Sequence, residues 1–447
     1  MIDYKQLEKK RTARQALLAN ATRPALPSMN YDENFATDGK LVLPLENRTG
    51  WASCIIPSLV HPSTYIVGFY ETLKIISPQP AYLARLVRLS ANGEVDPAFA
   101  NGKGFIDANF AQEGISVISG IHETVDGFFV WGNTVSLSDN SLVTRYFIAK
   151  LKADGQPDVG FGEHGLLDIN TLGLEYPVQL MPDQACIFLA DGSIHVGVAA
   201  SDASVALLVK LNSAGKLDTG FQNGGALLIA NDSKAIYPQG LALNDQDGLF
   251  VYGMTVSETE IAGVVIKYDS AGDKCSQFGN AGVSEVWVEG YYSNIAGLSV
   301  LDDTRLLLVG KADTLREGAL VMESLVTLLN GDGQPDRRFN AGEPVFHPFD
   351  PISDFDKWDV GLPQLPLSGN MLVVGSGGSQ GSTGPVVGRF NEDGSPDTSF
   401  ANGYAFATLD DASFSPNGRF ICTHPAPGQI LVAGSVSGRP AILALKV

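Results

Sequence analysis

The segment FDPISDFDKWD sets Asp350, Asp354, Asp356 and Asp359 within ten residues, a density of carboxylate oxygens that could surround a calcium ion. It has neither the glycine nor the closing glutamate of an EF-hand loop. A solvated acidic loop is therefore the first reading, with no cofactor called for and calcium the one ion left open. Six histidines, His61, His122, His164, His195, His347 and His424, form no H-x-x-x-H or H-x-H pair, so a metal or acid–base centre would have to be assembled from distant parts of the chain. Cys54, Cys186, Cys275 and Cys422 show no C-x-x-C spacing, and three of them lie in similar apolar segments, SCII, ACIFL and FICTH. That pattern predicts buried free thiols rather than zinc ligands or disulfides. No nucleophile-elbow, Walker or dinucleotide fingerprint falls between a strand and a helix, and no catalytic residue is assigned.

Aromatic side chains recur in the long connecting segments: Trp51, Phe110, Tyr176, Tyr237, Tyr291 with Tyr292, Phe349 with Phe355 and Trp358, and Phe414. Most are expected to close the top of their own unit's core. Tyr291, Tyr292, Phe355, Trp358, Tyr176 and Tyr237 are the candidates for ligand contact, since flat rings with polar tips stack on a sugar or grip a peptide. Trp358, Tyr291 and Tyr292 lie in the longest or most aromatic loops and are expected to be the exposed ones.

The elements that must position these residues come from a repeat. The pattern G-x-x-D-x-x-F-x(2 or 3)-G recurs with its phenylalanine at positions 35, 99, 161, 221, 278, 339 and 400, the first copy being partial, at intervals of 64, 62, 60, 57, 61 and 61 residues. A near-constant period of this length marks a repeat architecture. The Asn-Gly or Asp-Gly step favours a tight reversal, the aspartate can bond nearby backbone N–H groups, and the phenylalanine can turn inward. The residues Asp96, Phe99, Asp158, Phe161, Asp218, Phe221, Asp336, Phe339, Asp397 and Phe400 are thus read as structural, all the more because the fifth copy carries Cys275 in the aspartate position. Between copies, trios of short apolar runs such as QACIFLADG, SIHVGVAAS and ALLVKLNSAG read as strands, and four strands per unit match a propeller blade.

The turn and its flanking strands resemble the delta-60 repeat, a bacterial β-propeller repeat family, over about residues 29 to 447. The resemblance implies a scaffold and no common reaction. The expected fold is all-β: a seven-bladed β-propeller of four-stranded blades, preceded by a short helical extension at residues 1–28. The chain begins with a turn and one strand, KLVLPL, and ends without them, so strand 40–45 is expected to complete a last blade formed by residues near 419 to 447. One face then carries the uniform repeated turns. The other carries long, unequal segments such as WVEGYYSN and HPFDPISDFDKWDVG, and loops that vary on a rigid frame are where function usually sits.

Forty-nine acidic against 30 basic side chains give a formal charge of −19, which makes nucleic acid a poor partner. No apolar run reaches the roughly 20 residues of a membrane helix, and the first residues lack the apolar core of a signal peptide. Those features predict a cytoplasmic protein, or one exported without a conventional signal peptide. The N-terminal 24 residues carry Lys5, Lys9, Lys10, Arg11, Arg14 and Arg23 against Asp3 and Glu8, a basic stretch expected to dock on the acidic remainder. The resulting functional expectation is a non-catalytic binding module presenting a variable loop face to a protein or glycan. A propeller hydrolase or lactonase-like enzyme with its site at the channel mouth is the alternative, and a structural subunit tethered by the N-terminal segment is the third reading.

Overall fold

The computed structural model describes residues 26–43, 49–76, 79–110, 115–138, 141–182, 184–200, 205–222, 224–231, 234–244, 248–301, 304–316, 319–347, 349, 355–363, 370–379, 382–401, 405–409, 414–415, 421–423 and 428–446. The basic N-terminal segment, Asp350 and Asp354 lie outside them.

One antiparallel meander builds the chain. In its plainest instance, strands Ala235–Leu243, Leu249–Val256, Ile261–Tyr268 and Val283–Val286 are hydrogen-bonded in that order. Units whose first strands are Gly50–Pro57, Ile115–Thr124, Tyr292–Leu301 and Phe355–Pro363 repeat it. Another unit splits its first strand into Val178–Leu180 and Cys186–Phe188, both paired with Ile194–Ala200. The last runs from Phe414–Ser415 and Ile421–Thr423 through Gln429–Val436 to Arg439–Lys446, and takes its outer strand from Lys40–Val42. Helix is almost absent, with a four-residue turn at Phe99–Gly102 and two short 3-10 turns among the described residues.

Burial explains the hydropathy of these strands. Second and third strands such as Ile194–Ala200 and Arg439–Lys446 are buried on both faces, so they read as continuous apolar runs. First strands such as Tyr292–Leu301 alternate, because only one of their faces meets a core.

The repeated turn joins each unit to the next. The ring of Phe161 lies under Gly215, that of Phe221 under Gly272 and that of Phe278 under Gly333. The residue after the phenylalanine donates its N–H to the following turn: Ala36 to Asn92 O at 2.7 Å, Gly162 to Ala214 O at 2.9 Å, Asn340 to Asp393 O at 2.8 Å. The aspartate accepts from the backbone N–H two residues on, as Asp158 does from Gly160 and Asp397 from Ser399. It also pairs with a cation eight residues back, Arg88 with Asp96, Lys150 with Asp158, Lys210 with Asp218 and Arg389 with Asp397. That cation covers a phenyl ring, Arg389 over Phe400 at 5.0 Å. Where Cys275 replaces the aspartate, Lys267 keeps its place over Phe278 and the Phe278 N–H still bonds Cys275 O. In the sixth copy Leu328 stands in the cation's place, and Arg338 and Arg305 approach Asp336 instead.

Both ends of the described chain meet in one sheet. Lys40, Leu41 and Val42 pair with Leu443, Ile442 and Ala441. Leu43 is buried against Leu431 and Ile442. Just before this strand, Met29 N–H bonds Thr408 O and Asp32 N–H bonds Ala444 O, both at 2.9 Å, and the Gln429 amide donates to the Asp32 carboxylate.

Candidate functional site

Five of the first strands carry an extra residue at the same place in their ladder. The register against the second strand slips between Ala52 and Cys54, Ile118 and Gly120, Pro238 and Gly240, Ile295 and Gly297, and Trp358 and Val360. The extra residues are Ser53, Ser119, Gln239, Ala296 and Asp359. A β-bulge of this kind leaves its extra residue outside the ladder and bends the strand that carries it. All five line one cavity of about 560 Å³, with Pro182 supplied by the unit whose first strand is split. Most of the lining comes from the first half of five first strands, the end at which the long connections arrive, with Lys311 added from a second strand and Met322 from a third.

Glycines opposite the bulges make room for them. A Cβ at Gly375 would sit 1.9 Å from Lys357 O, and one at Gly310 would sit 2.0 Å from Asn294 O. Only hydrogen in place of a side chain allows the first strand's carbonyls that close.

The wall of the cavity is polar on one side. Lys357 donates to Asp359 Oδ1 at 2.7 Å, and Lys311 from the adjacent unit donates to Asp313 Oδ2 at 3.2 Å. Lys311 faces Asn294 across the ladder, and both line the cavity with Phe355 and Met322. Burial pushes the Asp359 carboxyl above the usual carboxylate range, while the Lys357 ammonium pulls it back. Two acceptors of this lining, Asp359 Oδ2 and Asn294 Oδ1, have no hydrogen-bond partner among the described residues. A larger groove of about 1170 Å³ runs between the units that begin at Ile115 and Val178. Two of its polar groups are matched within the protein, Arg145 with Asp168 at 3.2 Å and the Tyr146 hydroxyl with Gln179 at 3.2 Å.

The acidic segment is not a solvated loop where it is described. Asp356, Trp358 and Asp359 belong to the first strand Phe355–Pro363 and are all buried. Asp356 Oδ2 accepts from Phe349 N–H at 2.9 Å, while Asp359 turns to the cavity. Among the described residues no group of three or more His, Cys, Asp or Glu could hold a metal. Trp358, expected at the surface, is 0% exposed and packs on Phe349, Phe390 and Phe406, because pleating sends it to the face opposite Lys357. Tyr291 is stacked on Phe346 at 4.8 Å and 7°, and Tyr237 is partly buried. Tyr292 and Tyr176 are 49% and 39% exposed, and Trp287 beside the same turn as Tyr292 is 50% exposed. Of the six aromatic candidates, Phe355 alone lines the cavity. Among the described residues no histidine lines it either; His122 stacks on Phe188 and His195 meets Phe221 edge-on. Cys54, Cys186 and Cys275 are free thiols, Cys186 buried and the other two partly so.

The β-propeller family described as Domain of unknown function (DUF5122) matches residues 368–400, a second strand, a third strand and the repeated turn. No curated protein sequence is significantly similar to the chain. Among solved structures, polysaccharide lyase Uly1 is 11% identical, covers 96% of this chain and 95% of its own, and superposes with a TM-score of 0.47. Virginiamycin B lyase from Staphylococcus aureus is 10% identical over 91% of this chain and 98% of its own, TM-score 0.41. Sqt1 from Chaetomium thermophilum is 11% identical over 94% and 98%, TM-score 0.41. Likenesses this distant assign no activity.

Proposed function

We propose that residues 29–447 form a seven-bladed β-propeller of the delta-60 kind, closed where Lys40–Val42 joins Arg439–Lys446, and that it is a binding module whose site is the mouth of the central cavity. The observation that carries this reading is the convergence of Ser53, Ser119, Gln239, Ala296 and Asp359, each delivered by a bulge, on one space. A bulge gives up ladder pairing, and bulges concentrate where a side chain must be redirected. The site opens toward the long connections, so a protein segment or glycan is the fitting partner, and the charge of −19 argues against nucleic acid. Affinity capture from the native source tests the reading, with wild type beside Ala296→Trp, which fills the cavity. A partner or glycan held by wild type and released by the variant supports it; one held equally by both sinks it.

A second reading, an enzyme at the same mouth, is favoured by one observation. Asp359 is a buried carboxyl held above its usual range beside Lys357, and such perturbed pairs in cavities mark acid–base sites. Turnover of ester or lactone substrates that Asp359→Asn abolishes would select it; equal turnover by the variant dismisses it.

A further inference from the structure

The chemical class of the ligand follows from what the cavity wall offers, and the inference rests on the reading that this cavity is the binding site. Lys357 and Asp359 stand two residues apart on a first strand, and Lys311 and Asp313 repeat that spacing on the second strand of the adjacent unit. Each ammonium is bonded to its own carboxylate, at 2.7 and 3.2 Å. Asp313 lies just outside the lining, yet its bond to Lys311 offsets that charge as Asp359 offsets Lys357, so the wall has little net charge with which to hold an ion. An anionic ligand would meet lysines already neutralised, and a cationic one would meet aspartates already neutralised.

Hydrogen-bonding capacity is what remains. Asp359, only 3% exposed, keeps Oδ2 without a partner among the described residues, and so does Asn294 Oδ1. Each lysine carries N–H donors beyond the one its carboxylate takes. Unmatched acceptors beside unspent donors suit a group that both donates and accepts, which is the property of a hydroxyl. Phe355 adds a flat apolar surface to the same wall, and about 560 Å³ lies within the range of small-molecule sites.

We propose that the central cavity binds a neutral polyhydroxylated ligand, a sugar unit whose hydroxyls bridge the Lys357–Asp359 pair to Lys311 and Asn294 while its apolar face rests on Phe355.

Saturation-transfer NMR on the full chain tests this with a panel of neutral mono- and disaccharides, methyl phosphate as the phosphate probe, and a neutral hexapeptide, each at millimolar concentration. At least one sugar receives saturation from wild type and phosphate does not. Lys357→Met weakens that sugar by about tenfold or more, the loss of a charge-assisted hydrogen bond, and Ala296→Trp excludes it. Near-ultraviolet circular dichroism establishes that each variant is folded, and Phe355→Leu serves where Lys357→Met is not. Saturation of no sugar, or of a sugar equally in wild type and both variants, overturns the proposal. Should phosphate or the peptide bind wild type and be lost in Ala296→Trp, the cavity is a binding site but the sugar assignment falls. Should no probe bind in the cavity and affinity capture also show no difference, both readings fall.

Discussion

The ring of Phe161 lies under Gly215 of the next turn, so close that a Cβ on that glycine would sit 2.8 Å from the ring edge. Gly215 also has a φ of +76°, a conformation that side chains with a Cβ adopt at a cost. Gly215→Ala is expected to lower stability by about 2 kcal/mol, part backbone strain and part displaced phenyl ring. The midpoint of urea unfolding measures it; an unchanged midpoint would mean that the turn does not depend on this contact.

The two ends of the described chain share one core, and a truncation at the start should register in the last sheet. Leu43 is 1% exposed against Leu431 and Ile442. Leu43→Ala should cost about 2–5 kcal/mol, the range of a buried large-to-small change, although Leu43 lies just past a strand of only three residues. Hydrogen exchange resolves where the loss appears. Faster exchange in Gln429–Val436 is expected, and a change confined to residues 26–43 would contradict the coupling.

Acid stability should follow the turn aspartates. Their partners hold these carboxyls below the usual range: the Arg88 hydrogen bond for Asp96, the Lys150 hydrogen bond for Asp158, the Arg338 hydrogen bond for Asp336. A lowered carboxyl contributes stability that is present above its unfolded value, near pH 4, and is lost as pH falls through the folded one. Asp359 has the opposite sign, since its raised carboxyl makes ionisation unfavourable in the fold. Asp96→Asn should therefore flatten the acid limb of a plot of stability against pH, whereas Asp359→Asn should relieve destabilisation as pH rises above about 4. Identical acid limbs for Asp96→Asn and wild type would refute the first half.

The bulges depend on the glycines facing them. Gly375→Val would place a Cβ 1.9 Å from Lys357 O, forcing the first strand away and carrying Lys357 and Asp359 with it. A loss of more than about 2 kcal/mol is expected, because backbone rather than a flexible side chain must yield. Near-ultraviolet circular dichroism of buried Trp358 reports whether the strand has moved; an unaltered spectrum would show that the bulge survives without the glycine.

The repeat was legible because its turn spends distinctive residues, Asp397, Gly394 and Phe400 among them, on contacts that recur at most junctions. The strands were legible because burial on both faces makes runs such as ILVAGS uniformly apolar. The site was not, because a bulge adds one ordinary residue to a strand and leaves no mark in composition: Ser119 or Ala296 reads as one more position in an alternating run. A trace did exist in the glycines Gly68, Gly132, Gly253, Gly310 and Gly375, one inside each corresponding second strand, where a β-former would otherwise be expected. The segment around Trp358 was misread for a related reason. Its aspartates give it the look of a loop, yet Asp356 accepts from the Phe349 N–H and Asp359 Oδ1 from Lys357 inside a strand.

Lys40 lies opposite Leu443 and Val42 opposite Ala441, so the incoming and outgoing chain leave this pairing on the same side. Tension applied between the termini would then open the joint like a zipper, one rung at a time, instead of loading all its rungs together in shear. A body resistant to heat or denaturant could in this way come undone under a modest mechanical pull, beginning at residues 26–43 and leaving the remaining sheets to follow.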